Sequence, residues 1–405
     1  MSTLSLFQAY GVEMEYMIVD RDTLNVSPIA DKVMFDEVGE YTDEVERGPI
    51  AWSNELAMQV IELKTNGPAS DLNLLPVAFN VDVQHINSIL YDYNAMLLPT
   101  GTHPWMNPHT EAKLWPYGNK DIYEAYHRIF NCQGHGWINL QSTHLNLPFA
   151  DDAEFERLHT AIRLLLPLMP ALTASTPFMD GKSTGYKDAR IAVYRDNQKR
   201  IPNITGLIIP ELVKHQEDYQ STILKPMYQA IAPFDEHGIL QFEWLNSRGA
   251  IARFDRNAIE IRLLDIQECP WADIACIHLI SETLKSLVSE RWSTLATQQS
   301  FDTEALSACL NDIIITGMDT VINLKGYGQA FGLNQSSFTA REFWQHCFEH
   351  AALSKSLRQP VEVILKHGNL AERLLKQYKQ NSDLKACYAQ LAECLQQGHP
   401  YEPSS

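Results

Sequence analysis

Apolar and polar residues alternate with a period of two in five stretches. These are 11–20 (GVEMEYMIVD), 58–65 (MQVIELKT), 137–147 (WINLQSTHLNL), 239–245 (ILQFEWL) and 258–265 (AIEIRLLD). Alternation of this kind predicts β-strands with one face buried. Beyond about residue 270 the period changes. The stretches 271–292, 302–315, 340–353 and 370–378 carry apolar residues at i, i+3, i+4 spacing and predict helices. Strands first and helices later indicate an α+β fold with a mainly antiparallel sheet. No repeat and no Pro/Gly/Ser-rich linker divides the chain. It therefore reads as one domain over 1–405, with a strand-rich half (1–270) and a helical half (271–405) that packs behind the sheet and closes the domain.

The polar faces of these strands are unusual. Side chains two apart on a strand share a face, so Glu13 and Glu15 lie together, opposite Val12, Met14, Tyr16 and Ile18. Glu260 and Arg262 lie together, opposite Ile259, Ile261 and Leu263. Ser142, His144 and Asn146 share a third face, and Glu55 and Glu62 sit in a fourth strand-like region. A single such pair has an ordinary explanation in a solvated sheet face, and a single histidine in a strand is commonly a satisfied polar residue. Carboxylates gathered from several strands repel one another unless a cation neutralises them. Oxygen ligands with one imidazole suit Mg²⁺ or Mn²⁺ better than zinc or copper. Spacing alone thus leaves two readings open, a solvated sheet face and a carboxylate site for divalent metals.

Composition narrows the partners. The chain is 45% hydrophobic and 20% charged, as expected of a globular protein, and its 32 basic against 50 acidic residues give a net charge of −18. That balance argues against a nucleic-acid-binding surface, which needs a basic footprint. The seven cysteines are scattered and never in C-x-x-C spacing, which argues against a disulfide framework or structural zinc. The most apolar stretch, 162–172, holds Arg163 and is broken by Pro167 and Pro170, so no membrane span is expected. The N-terminus lacks the pattern of a signal peptide, and a cytoplasmic location is expected. There is no Gly-rich nucleotide fingerprint of the Rossmann or P-loop kind. Trp105 and Trp244 read as core or turn packing.

Seven stretches in order extend the picture: Gly11-Val12-Glu13-Met14-Glu15, Asn54-Glu55 through Val60–Thr65, Gly101-Thr102-His103-Pro104, Thr143-His144-Leu145-Asn146, the run 175–190, the strand 259–265 and HGNLAERLL at 367–375. Together they resemble the carboxylate–amine ligase branch of the glutamate–cysteine ligase family, whose fold is glutamine synthetase-like. The resemblance implies a curved, mainly antiparallel sheet, backed by helices, that forms a channel for nucleotide and metals. It implies Glu13, His144 and Glu260 as ligands of one metal and Glu15, Glu55 and Glu62 as ligands of another. Arg262 would contact the transferred phosphate, which explains why it shares a face with Glu260. Arg190, Arg195, Arg248, Arg253 and Asn146 are further candidates for phosphate or substrate contacts. Asn369 is expected to cap a helix and carries no assigned chemistry. Two departures bear on substrate choice: Ser142 stands where many relatives have histidine, and the stretch 246–258 is longer than usual.

The implied activity is an ATP- and Mg²⁺- (or Mn²⁺-) dependent ligase. It joins an acid, the γ-carboxylate of glutamate or a similar group, to an amine such as cysteine through an acyl phosphate. Its partners are those small molecules, with neither nucleic acid nor membrane, and a homo-oligomer is compatible with the sequence. Two alternatives remain at this level. One is a two-metal phosphohydrolase using water in place of the amine; the other is a non-catalytic binding homologue of the fold.

Overall fold

The computed structural model describes residues 3–402. Its frame is an eight-stranded antiparallel sheet built from β1 (Gly11–Asp20), β2 (Glu44–Arg47), β3 (Ile50–Asn54), β4 (Val60–Thr65), β5 (Ala95–Leu98), β6 (Ser142–Pro148), β7 (Ala250–Arg253) and β8 (Ala258–Asp265). The strands run in the order β2-β3-β4-β1-β6-β8-β7, and β5 also pairs with β1. β1 is long enough to serve three neighbours. Its residues 13–17 face β4, its first half (11–14) pairs with β6, and its second half (17–20) pairs with β5.

The helices that build the core and the site are α1 (Leu75–Tyr91), α2 (Lys120–Phe130), the single turn α3 (His135–Ile138), α4 (Asp152–Leu165), α5 (Ala189–Tyr194), α6 (Pro270–Val288), α7 (Thr303–Thr316), α8 (Ala340–His350), α9 (Lys355–His367), α10 (Leu370–Asn381) and α11 (Leu384–Gln397). The four predicted helices correspond to α6, α7, α8 and α10. α6 buries 15 of its 19 residues, so it is apolar nearly all round, as a central helix must be. It lies in the main core with Val12, Met14, Tyr16 and Ile18 of β1 and Ile259, Ile261 and Leu263 of β8. The back of the sheet is therefore the apolar face the alternation predicts. A second core forms where the front face of β1 continues as Met17 and Val19. There Leu370 and Leu374 of α10 and Tyr388 and Leu391 of α11 pack onto it. Asn369 caps α10 as expected, its side chain accepting from Glu372 N at 3.0 Å while Glu372 accepts from Asn369 N at 3.1 Å.

Two predicted strands differ. In 137–147 only the part from Ser142 onward is strand, because Trp137 and Ile138 belong to α3. The stretch 239–245 is loop ending in one 3₁₀ turn, Glu243–Leu245. Its alternating apolar residues find no neighbouring strand. All seven cysteines are free and buried. Among the described residues, no helix is long and apolar enough to cross a membrane.

β8 carries one irregularity. Ile261 pairs with Leu145 and Leu264 with Thr143, so β8 takes three steps where β6 takes two. The extra residue falls opposite His144, and Arg262 lies within the bulge. Bulges re-aim side chains at sites of this kind.

Candidate active site

Strand register gathers the polar residues on the front of the sheet. Glu15 stands opposite Glu62, Glu13 is flanked by Lys64 and His144, and Asn146 stands opposite Glu260. Like charges directly opposite each other are unfavourable in a sheet, and the local contacts show how far the protein compensates. His144 Nδ1 donates to Glu13 Oε2 at 2.8 Å and lies 3.8 Å from Glu260 Oε1, while its Nε2 is 3.9 Å from Glu15 Oε1. Ser142 donates to Glu15 Oε2 from its backbone N at 2.7 Å and from its hydroxyl at 3.1 Å. Asn146 Nδ2 donates to Glu13 Oε1 at 3.1 Å, and Ser53 Oγ to Glu62 Oε1 at 2.6 Å.

Electrostatics splits the carboxylates into two groups. Burial works against ionisation of Glu13, but the His144 hydrogen bond and charge prevail and hold its carboxyl at about 2. Burial also opposes charge on His144, yet Glu13, Glu15 and Glu260 raise it to about 9. Glu62 has weaker compensation. Burial and the Glu13 charge push it up to about 7. Glu55 is pushed well above the usual range by burial and then by Glu15 and Glu62. Glu55 follows the last residue of β3 and lies in a loop, not in a strand.

The arginines separate more sharply. Arg262 donates to Glu260 from Nε at 2.9 Å and also from a terminal nitrogen. Arg253 places a terminal nitrogen 3.7 Å from the other Glu260 oxygen. Arg190 is buried. Its Nε donates to Asp265, and both terminal nitrogens lie 3.4 Å from the Arg262 carbonyl oxygen. It reaches the cavity wall while bracing the bulge that aims Arg262. Two candidates fall elsewhere. Arg195 donates to Asn311 on α7 at 2.7 Å. Arg248 is held by both oxygens of Glu211, at 2.6 and 2.7 Å, and by backbone carbonyls. Neither lines the cavity, so the structure does not support them as phosphate or substrate contacts; their charges are committed to structural partners.

The Gly101-Thr102-His103-Pro104 stretch also supports Asp265. A Cβ on Gly101 would stand 2.8 Å from the Asp265 carboxyl and 2.9 Å from Thr176 Cγ2. Asp265 cannot swing away, because it also accepts from Ser175 N at 2.8 Å and Thr176 Oγ1 at 3.0 Å. Gly101→Ala is expected to cost about 1–3 kcal/mol in a urea-unfolding comparison, as overpacked cores do.

These side chains open onto a cavity of about 410 Å³ lined by Glu13, Glu15, Glu55, Glu62, His144, Glu260 and Arg262 together with residues not singled out in the sequence. Those include Arg256 and the aromatic side chains Tyr126, Trp137 and Tyr194, and Trp244 joins them. Trp244 is thus a wall of the cavity and not packing alone, whereas Trp105 packs on His103 and Tyr388 as expected. A second hollow, of about 390 Å³, adjoins the first through Glu13, Lys64 and Arg256, with Leu4, Ala9, Tyr10, Pro68 and Pro148 as its apolar walls.

The donor set fits divalent cations. One ligand atom from each of Glu13, His144 and Glu260 lies within 4.8 Å of the others, and the same holds for Glu15, Glu62 and His144. Glu55 lines the same cavity but is not part of the second trio. Carboxylates gathered this closely favour a neutralising cation, and oxygen-rich sets of this kind suit Mg²⁺ or Mn²⁺.

Linkage gives a test with a defined sign. The folded values of Glu62, about 7 against an ordinary 4.5, and His144, about 9 against 6.5, are both raised. Each contributes stability at low pH that is lost as pH rises through those windows. The metal-free protein is therefore expected to melt at progressively lower temperature from about pH 5 to about pH 9. Added Mg²⁺ raises the melting temperature most at the alkaline end, because metal binding must displace these protons. Glu62→Gln flattens the lower part of the decline. A metal-free melting temperature that rises with pH in both proteins would contradict the assignment.

Comparison with known proteins agrees with this architecture. Residues 9–390 match the family model described as Glutamate-cysteine ligase family 2 (GCS2). An uncharacterized protein of Archaeoglobus fulgidus is 30% identical over 394 residues, 96% of this chain and 99% of that one. A Bradyrhizobium diazoefficiens protein, provisionally named glutamate–cysteine ligase 2, is 25% identical over 237 residues, 56% of this chain; the match spans about half (49%) of that relative. Among solved structures, the glutamate–cysteine ligase of Francisella tularensis in complex with AMP superposes with a TM-score of 0.61 at 13% identity, covering 100% of this chain and 91% of that one. At that identity the likeness shows the shared α+β fold.

Proposed function

The chain belongs to glutamate–cysteine ligase family 2, and from that membership and the site described we propose that it is an ATP-dependent ligase joining a carboxylate to an amine. The observation that carries the reading is the convergence of Glu13, His144, Glu260 and Arg262 on one face of the sheet. The acid is the γ-carboxylate of glutamate or a related group, and the amine is cysteine or one like it. The strand-rich and helical halves act as one catalytic domain.

A carboxylate does not condense with an amine directly because oxide is a hopeless leaving group. Its oxygen instead attacks the γ-phosphorus of ATP, releasing ADP and leaving an acyl phosphate. The amine then attacks the acyl carbon, the C–O bond to phosphate breaks, and the amine proton passes to solvent. No Ser, Cys or His nucleophile is required. Glu13, His144 and Glu260 would hold one divalent cation, and Glu15, Glu55 and Glu62 a second. Held by these residues, a divalent cation would supply the positive charge that offsets the phosphates of the nucleotide. Arg262 stabilises the charge developing on the transferred phosphoryl group. Arg253, 3.7 Å from Glu260, is placed to assist. Asn146 and Ser142 orient Glu13 and Glu15. The apolar second hollow suits the nucleotide base and ribose, and the AMP bound to the Francisella protein supports nucleotide use by the family.

The test is ADP release with ATP and Mg²⁺ against acids and amines offered singly and in pairs, with Glu260→Gln as control. Release that needs both partners and disappears in the variant is the expected result. ATP hydrolysis at one rate whatever is added would overturn amide formation in favour of a phosphohydrolase.

A further inference from the structure

Three of the eight tryptophans are fully enclosed. Trp52, Trp115 and Trp344 are at most 1% exposed, and each indole N–H is paired, with Asp82, Asp43 and the Leu168 carbonyl respectively. Of the partly buried tryptophans, Trp105 donates to Asn25 Oδ1, whereas Trp137, Trp244, Trp271 and Trp292 donate to no protein acceptor among the described residues, and Trp137 and Trp244 line the cavity that holds Arg262. Buried indoles ordinarily find a partner. An indole with a free donor in the wall of a cavity offers a ligand both apolar ring surface and a hydrogen-bond donor.

These two rings belong to a continuous aromatic wall. Phe242 stacks on Trp244 with centroids 5.8 Å apart and planes at 10°, Tyr126 lies 6.1 Å from Trp244 and 5.5 Å from Trp137, and Phe130 backs Trp137 at 5.6 Å. The wall is assembled from α2, α3 and the loop before β7, and Phe242 at its rim is 53% exposed. It shares the cavity with Arg262, where the acyl group and the amine would meet. Neither glutamate nor cysteine has a flat apolar surface that would cover three such rings.

We propose that one of the two substrates carries a flat apolar body, an aromatic ring or its equivalent, which lies against Tyr126, Trp137 and Trp244. The proposal rests on the ligase reading and narrows it: among the acids and amines that reading allows, one member of the pair presents a ring to this wall. The ring contributes offset or edge-on stacking, and the free indole N–H groups favour a substituent with an acceptor oxygen.

Direct binding separates this proposal from the ligase chemistry. The full-length protein with Mg²⁺ and a non-hydrolysable ATP analogue is titrated calorimetrically with two matched sets of probes. The amine arm compares phenethylamine with butylamine, and the acid arm compares 3-phenylpropanoate with butyrate. In at least one arm the aromatic probe binds about tenfold tighter. Trp244→Leu and Trp137→Leu each remove most of that preference, Trp244→Phe restores it, and unchanged melting temperatures show that the variants are folded. The arm that responds tells whether the acid or the amine bears the ring. Equal binding of aromatic and aliphatic probes in both arms overturns the proposal, as does a preference that survives in both leucine variants. Aromatic binding without pair-dependent ADP release would keep the wall and remove the ligase reading. Pair-dependent release with glutamate and cysteine but no aromatic preference would do the opposite.

Discussion

Arg262→Gln lowers pair-dependent ADP release by on the order of 10²–10³, the usual consequence of losing one charge partner of a transition state. The loss falls on kcat, with the KM for ATP little changed, because a group that meets charge developing on the phosphoryl oxygens acts after nucleotide binding. Arg262→Lys keeps the charge but loses the planar fork that meets Glu260 through two nitrogens, so it recovers only part of the rate. The obvious confounder is Glu260, which is 3% exposed and would be left with Arg253 at 3.7 Å and His144 at 3.8 Å. A melting curve on each variant separates damage to the fold from damage to the chemistry. If both variants retain kcat within about threefold, less than 1 kcal/mol of barrier, Arg262 is not the phosphoryl contact.

The largest effect on stability is expected at a distance from the cavity. Arg373 and Glu268 form an ion pair that is 0% and 1% exposed, with Arg373 also bonded to the carbonyls of Gly368 and Tyr401. Glu268 in turn accepts from Tyr401 N at 3.0 Å. Arg373→Met strands the carboxylate without a counter-charge, and breaking one side of a buried pair costs about 3–5 kcal/mol. The double variant Arg373→Met with Glu268→Gln recovers a large part of that, since no lone charge remains. Urea unfolding of the two proteins measures the difference, and equal loss in both would show that hydrogen bonding to the tail, not charge burial, dominates.

How much of this was legible depended on whether a residue's surroundings come from its own strand. Glu13, Glu15, Glu62 and Glu260 were readable because period-two alternation fixes which face each occupies, and the back face proved as apolar as the pattern required. β3 gave no such signal, since all five of its residues are buried. The stretch 239–245 alternates like a strand but has no partner; its Trp244 belongs to the cavity wall instead, with Phe242 stacked on it. For the arginines, sequence supplied the type and tertiary structure the assignment. Arg248 and Arg195 have the same chemistry as Arg262 but meet Glu211 and Asn311. Arg256, Tyr126 and Trp137 reach the cavity from a loop and two helices, where no period relates them to the strands. The bulge at Arg262 was hidden for the same reason, because only pairing with β6 reveals the extra residue.

The sheet order also governs how the protein can be made. β1 stands between β4, which follows it closely in the chain, and β6, which arrives some 130 residues later; β6 then waits for β8. A nascent chain that has just released β6 from the ribosome exposes the unpaired edge of that strand and an apolar back face not yet covered by α6. Edges and faces of that kind recruit other chains. A product terminated between the end of β6 and residue 258 therefore carries five of the six proposed metal ligands, lacks Glu260 and Arg262, and presents a surface that invites aggregation. Translation pausing or chaperone capture in that interval would protect the yield of the protein.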